Sequence, residues 1–253
     1  MPSALVLTTD KIDFSNVVEN LKNDWDYQCE YQCKEEEKMT SYVFEYSNLT
    51  FVCAEFNSSF PDDLYSDIIE SRYGENLEEI YNNHQSFWII NVVESTESDL
   101  RIAYMIFTRV IMSMISGNKE CIVYDMRSRI AVESDVYLSM YDNMRMCWEK
   151  NKAFFPVDFY VNVCIEETDG KSSGYTIGFE TFNDYEIVID EKDVSENELW
   201  KIMKFIIGNV VSRNDKIGNG DVFPIPLNGQ YDEAVAKRFN CAELGKEALA
   251  IIF

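Results

Sequence analysis

General-base and nucleophilic chemistry near neutral pH turns first on histidine, and this chain has one, His84, within NNHQSFWIINVV (82–93). A Ser/His/Asp or Cys/His arrangement would have to be built on that imidazole, and no serine lies in a G-x-S-x-G elbow. The apolar run after His84 favours reading it as the polar residue that leads into a buried strand. Seven cysteines (Cys29, Cys33, Cys53, Cys121, Cys147, Cys164, Cys241) are an odd number, several within apolar runs, which predicts reduced thiols acting as small hydrophobes. Cys29 and Cys33 in CEYQC lack a second Cys/His pair at ligand spacing, which disfavours a zinc site. Carboxylates occur in runs, Glu35-Glu36-Glu37, Asp62-Asp63, Glu166-Glu167 and Asp190-Glu191. Adjacent residues point to different sides of a strand or helix, so these runs are not shared acid/base pairs. GNGD (218–221) and DGKSSG (169–174) lack the following helix of a phosphate cradle and read as turns. No catalytic residue, metal site or cofactor is expected.

Charge says more about partners. Forty-five acidic side chains against twenty-two basic ones leave a formal charge of −23, whose field disfavours nucleic acid and anionic membranes and speeds encounter with a basic protein. The same acidity also confers solubility. The candidate partner-binding residues are the acidic clusters Glu35, Glu36 and Glu37, then Asp62 and Asp63, then Glu94, Glu97 and Asp99. The N-terminal MPSALVLTTDKIDF has no basic n-region and only a short apolar run, and no apolar stretch reaches the roughly 18–20 residues of a membrane span. A cytoplasmic protein is expected, its oligomeric state left open.

The elements that would position such residues alternate. ALVL (4–7) reads as a strand, and residues 14–25 as an amphipathic helix capped by Asp13 or Ser15. EEEK (35–38) reads as a turn, SYVFEYSNLTFVCAEFN as a hairpin turning at Ser47-Asn48, and 61–74 as a helix with Pro61 in its first turn. SFWIINVV is a strand buried on both faces, LRIAYMIFTRVIMSMIS a covered helix stopped by Gly117-Asn118, and CIVYD an inner strand. Val136, Met140, Met144 and Trp148, at four-residue intervals, predict a helix across 131–152 with its stripe in the core. FFPVDFYVNVCIEE reads as a strand, YTIGFETFNDYEIVID as a hairpin turning at Asn183-Asp184, and 196–213 as a helix capped by Ser195 with Glu198. A helical segment near 233–238 and a final strand at ALAIIF complete the chain. This is an α+β fold, a mixed, mainly antiparallel sheet or sheets with flanking helices, in a single domain over 1–253. The echo of strand, spacer and helix between SFWIINVV…MSMIS and YEIVID…NVVS predicts two related α/β halves, 1–130 and 131–253.

The order of several blocks resembles the bacterial DUF4261 family: LVLTTDKIDFSNVVENLKNDW, HQSFWIINVV, the long helix leading to ECIVYD, FPVDFYVNVCIEETDGKSSGYTIGFETFNDYEIVID and NGDVFPIPLN. The family pattern has a second histidine where this sequence has Phe87, which argues against two-histidine chemistry here. Some members look like immunity proteins near polymorphic toxins, and the resemblance implies a protein with no established reaction. Three readings stay open. The first is a non-catalytic acidic protein-binding module, an immunity-type inhibitor of a cognate toxin. The second is a hydrolase that reverses a toxin's modification from dispersed carboxylates. The third is a housekeeping or structural domain.

Overall fold

In a computed structural model of the chain, residues 1–118, 120–150 and 154–253 are described. They form two compact units, Met1–Phe159 and Tyr160–Phe253. Each unit carries its own sheet.

In the first unit the strands are β1 (Ser3–Thr8), β2 (Tyr31–Glu35), β3 (Met39–Tyr46), β4 (Leu49–Phe56), β5 (Ser86–Ser95), β6 (Cys121–Asp125) and β7 (Ile130–Glu133). They pair antiparallel in the order β2-β3-β4-β5-β1-β6-β7. Alternate residues face opposite layers. On one side Leu5, Leu7, Phe87, Ile122 and Tyr124 pack with Ile68 of α2 (Tyr65–Glu70) and with Leu77 and Ile80 of α3 (Leu77–Asn83). On the other, Trp88 stacks with Phe14 of α1 (Phe14–Trp25) at 6.2 Å, and Phe51 with Phe107 of α4 (Leu100–Ile115) at 6.3 Å. Asp13 caps α1 through Ser15 N at 2.9 Å, and Asp99 caps α4 through Arg101 N at 2.9 Å. The unit closes with α5 (Ser134–Leu138) and α6 (Tyr141–Glu149).

The second unit is one sheet with a long helix on a face. Its strands are β8 (Asn162–Thr168), β9 (Lys171–Ile177), β10 (Glu186–Lys192), β11 (Val222–Leu227), β12 (Gln230–Cys241) and β13 (Lys246–Ile252), in the order β11-β12-β13-β10-β9-β8. The β10–β13 pair is parallel and the others antiparallel. Helix α8 (Glu196–Arg213) is capped by Ser195 and lies so close to the sheet that a Cβ on Gly174 would meet Met203 Sδ at 2.8 Å. Pro224 and Pro226 fall on edge strand β11, where a missing N–H breaks no ladder.

The α+β class holds, and several local expectations do not. The expected boundary at 130/131 falls just inside β7, within the β6–β7 pairing, and the units divide after Phe159. The echo survives only as element order. β5 and β6 flank one strand, β1, antiparallel to both, whereas β10 and β11 are separated by β13 and β12. Glu35 ends a strand, β2, whose five residues are all exposed and so carry no burial pattern. The helix expected from Pro61 is confined to Tyr65–Glu70, because the Asp63 carboxylate accepts Tyr65 N at 2.9 Å and starts the helix there, and Ser71 is extended. The helix expected over 131–152 opens as strand β7 and then breaks into α5 and α6; its positions 151 and 152 lie outside the described residues. Of its stripe Met144 is buried, while Trp148 is 39% exposed. The segment 154–161 holds a 3-10 turn at Val157–Phe159, and the strand begins only at Asn162. Strands β9 and β10 do pair, joined through the short helix α7 (Glu180–Asn183), and Asp184 takes φ 69° as its residue type allows. Residues 233–238 are strand, fixed by pairing with both β11 and β13.

The close approach of α8 makes Gly174 a strict test of the second unit. Gly174→Val should lower its stability by about 1–3 kcal/mol through overpacking, read as a reduced urea midpoint. An unchanged midpoint would show that α8 can slide away freely.

Candidate functional site

His84 follows α3 directly, and its geometry answers the catalytic question. The ring Nε2 accepts the Phe60 amide at 2.9 Å, Nδ1 is hydrogen-bonded to the Tyr81 carbonyl, and the His84 carbonyl accepts Ser59 Oγ at 3.2 Å. Both ring nitrogens are committed to backbone, which fixes the tautomer with its proton on Nδ1. The imidazole is buried and ties the 57–64 loop to the start of β5. It is the polar lead-in that the apolar run implied.

Three buried thiols are no better placed for attack. Burial pushes Cys29 and Cys121 up to about 11 and Cys53 higher still, so all three stay protonated at neutral pH. Cys33 is exposed on β2. Among the described residues no disulfide forms, and no three His, Cys, Asp or Glu side chains come close enough to hold a metal ion.

The carboxylates are organised by strand register. Following the pairs Glu35↔Thr40, Met39↔Phe56, Phe56↔Phe87, Thr8↔Ser86, Thr8↔Cys121 and Ile122↔Glu133 across the sheet brings one set of strand termini to a common end. Glu35, Glu36, Glu37, Asp62 and Asp63 belong to this end and are exposed. Glu94, Glu97 and Asp99 belong to the opposite end, beside the Ser47-Asn48 turn, where Thr96 N donates to Asn48 O at 3.1 Å. Eight-residue β4 separates the two ends by about 25 Å. The expected residues therefore form no single patch.

Their individual surroundings differ as well. Asp99 caps α4 and pairs with Arg101 at 2.5 Å, whose hydrogen bonds hold its carboxyl below the usual range. Glu97 accepts the Asp99 amide at 2.9 Å. Glu36 pairs with Lys34 at 2.6 Å, an exposed contact of little energetic weight. Asp63 starts α2, and Glu35, Glu37, Asp62 and Glu94 face solvent.

The same sheet end holds residues that sequence reading passed over. Glu79, Glu120, Glu133 and Asp135 line a cavity of about 300 Å³ together with Thr9, Asn76, Ile80 and Asn83. Glu133 is buried and oriented by Asn76, whose Nδ2 and backbone N donate to its two carboxylate oxygens at 2.9 and 3.1 Å. Glu120 accepts Thr9 Oγ1 at 2.9 Å. Glu120 precedes β6 and Glu133 ends β7, while Glu79 lies in the first turn of α3 and Asp135 in that of α5, so the packing of these helices at one end of the sheet, and no motif spacing, brings the four together.

Comparison with family models, with curated proteins and with solved structures finds no match to this chain. The likeness to the DUF4261 family rests on the sequence blocks alone.

Two measurements check the site geometry. His84→Ala should cost about 1–3 kcal/mol by leaving the partly buried Phe60 N–H without its acceptor, and stability in a thermal melt reads it directly. With iodoacetamide at pH 7.5, mass mapping should find Cys33 labelled first and Cys29, Cys53 and Cys121 only after denaturation. Rapid labelling of Cys53 would contradict the packing.

Proposed function

We propose that the chain is a non-catalytic binding module whose acidic sheet end receives a basic protein partner, in its most concrete form an immunity-type inhibitor that occludes a toxin. The observation that carries this reading is the cavity bounded by Glu79, Glu120, Glu133 and Asp135, whose lining contains no lysine or arginine. A guanidinium entering such a cavity meets carboxylates that can accept its planar fork two bonds at a time. Asn76 and Thr9 already hold two of those carboxylates in place, so less side-chain freedom is lost on binding. The exposed Glu37 and Asp62 at the same end, with the overall charge of −23, favour rapid encounter with a cationic surface. The commitment of both His84 nitrogens and the protonated state of the buried thiols support a binding role over an acyl- or thiol-transfer one.

The test is association with the product of any toxin gene found beside this one, followed by stopped flow at several salt concentrations. Paired reversal, Glu120→Lys with Asp135→Lys, should slow association on the order of tenfold at low salt and flatten its salt dependence, because steering is electrostatic. Reversal of Asp99, already neutralised by Arg101, should leave the rate near wild type. A rate indifferent to salt and to the paired reversal would dismiss this surface.

A further inference from the structure

Arg109 lies midway along α4 and is 1% exposed, an unusual place for a permanent charge. Its guanidinium carbon sits 4.1 Å from the Trp148 ring centroid and 5.1 Å from that of Trp25, so aromatic faces attend the cation. Neither ring supplies an acceptor in the guanidinium plane. Nε and Nη2 have no hydrogen-bond partner among the described residues, and no carboxylate pairs with them. Tyr46 attracts the guanidinium, but the geometry falls short of a hydrogen bond, and burial raises the Tyr46 hydroxyl's pKa in spite of the nearby charge.

The neighbours share that deficit. Trp25 Nε1, the Tyr46 hydroxyl and the Ser113 hydroxyl one turn along α4 are also buried without a partner. All are groups that can donate. A buried polar group that forms no hydrogen bond is costly, and here three N–H donors, Arg109 Nε and Nη2 and Trp25 Nε1, have only the Tyr46 and Ser113 hydroxyls for company, neither placed to satisfy them, so a further acceptor would be gained readily. Nε and Nη2 are also the adjacent pair with which arginine grips a two-oxygen anion side-on.

We propose that Arg109 anchors a buried oxyanion site that takes the carboxylate of an aromatic or other flat apolar acid, gripped by Nε and Nη2 beside Trp25 and Trp148. The apolar body of such a ligand suits the rings around it, including Tyr141 at 5.3 Å from Trp25. Entry runs past α6. That helix buries Met144, while Met146 is 47% and Trp148 39% exposed, so displacing the Trp148 ring disturbs little core. This site lies apart from the acidic cavity and does not depend on the partner reading.

The probes are benzoate and inorganic phosphate, each compared with chloride at matched ionic strength, with thermal melting and tryptophan fluorescence as readouts. Benzoate should raise the wild-type Tm and change the emission, and Arg109→Met should lose both responses. A response to phosphate with none to benzoate would overturn the carboxylate assignment. Response to neither anion would overturn the proposal, and a lower Tm for Arg109→Met would then assign the arginine a purely structural role. If Arg109→Met fails to fold, Trp148→Ala is the second variant. It uncovers one face of the guanidinium and should speed benzoate association detected through Trp25, and an unchanged rate would overturn the proposal.

Discussion

Strand β1 pairs with β5 on one edge and β6 on the other, and Ala4, Leu5, Val6 and Leu7 are at most 1% exposed. A strand covered on both faces accepts apolar side chains, each contributing about 1.5–3 kcal/mol when fully buried, and it excludes ionisable ones. The helical layers on both sides extend that exclusion to β5 and β6. Polar groups of the first unit are thereby pushed toward the strand termini. Thr8, Thr9, Glu120 and Glu133 sit where they do because the strands between them have no room for charge.

That constraint explains what the sequence disclosed and what it concealed. SFWIINVV, CIVYD and LRIAYMIFTRVIMSMI announce themselves because deep burial demands continuous apolar runs, and Asp13 and Ser195 mark helix starts because a free N–H there wants an oxygen, whereas Asp99, read as a surface acid, proves to cap α4 as well. Strand β2 was invisible because an exposed edge strand is stabilised by backbone pairing and leaves no side-chain pattern. Residues 233–238 look helical locally and are strand because β11 pairs with them as far as Val235 and β13 from Val235 onward, so every residue has a strand partner. His84 could be judged from its setting, since an apolar strand follows it at once. The acidic cavity could not, because Glu120 and Glu133 meet through the pairing of β6 with β7, and Glu79 and Asp135 through the docking of α3 and α5 at that end, none of which a local pattern encodes.

The buried charges of the two units sort by how completely they are answered. Glu186, in the second unit, accepts Thr176 Oγ1 and Gly178 N at 2.7 Å and Phe179 N at 3.0 Å, with Lys246 3.5 Å away, so it organises the turn into α7 even though burial raises its pKa. Glu133 is answered by Asn76, and its side chain lies so near Gly74 that a Cβ there would stand 2.5 Å from the Glu133 Cβ. Arg109 is answered only on its faces. A buried group met on every lone pair or proton is a structural fixture, whereas one left with open donors retains capacity for a further partner.

The same distinction applies to the surface. A charge of −23 is too diffuse to define a site, because solvent and salt screen each exposed carboxylate beyond about 8–10 Å. What separates one acid from another is whether the chain has already spent it. Asp99 holds a helix end and an arginine, Asp63 starts a helix, and Glu36 has Lys34 within reach. Glu79 and Asp135, both exposed, flank a cavity without a cation in its lining, where the buried Glu133 adds a third carboxylate within reach of one entering charge. Acidity that is convergent, oriented and uncompensated can select a partner; acidity that is scattered and paired mainly keeps the protein in solution.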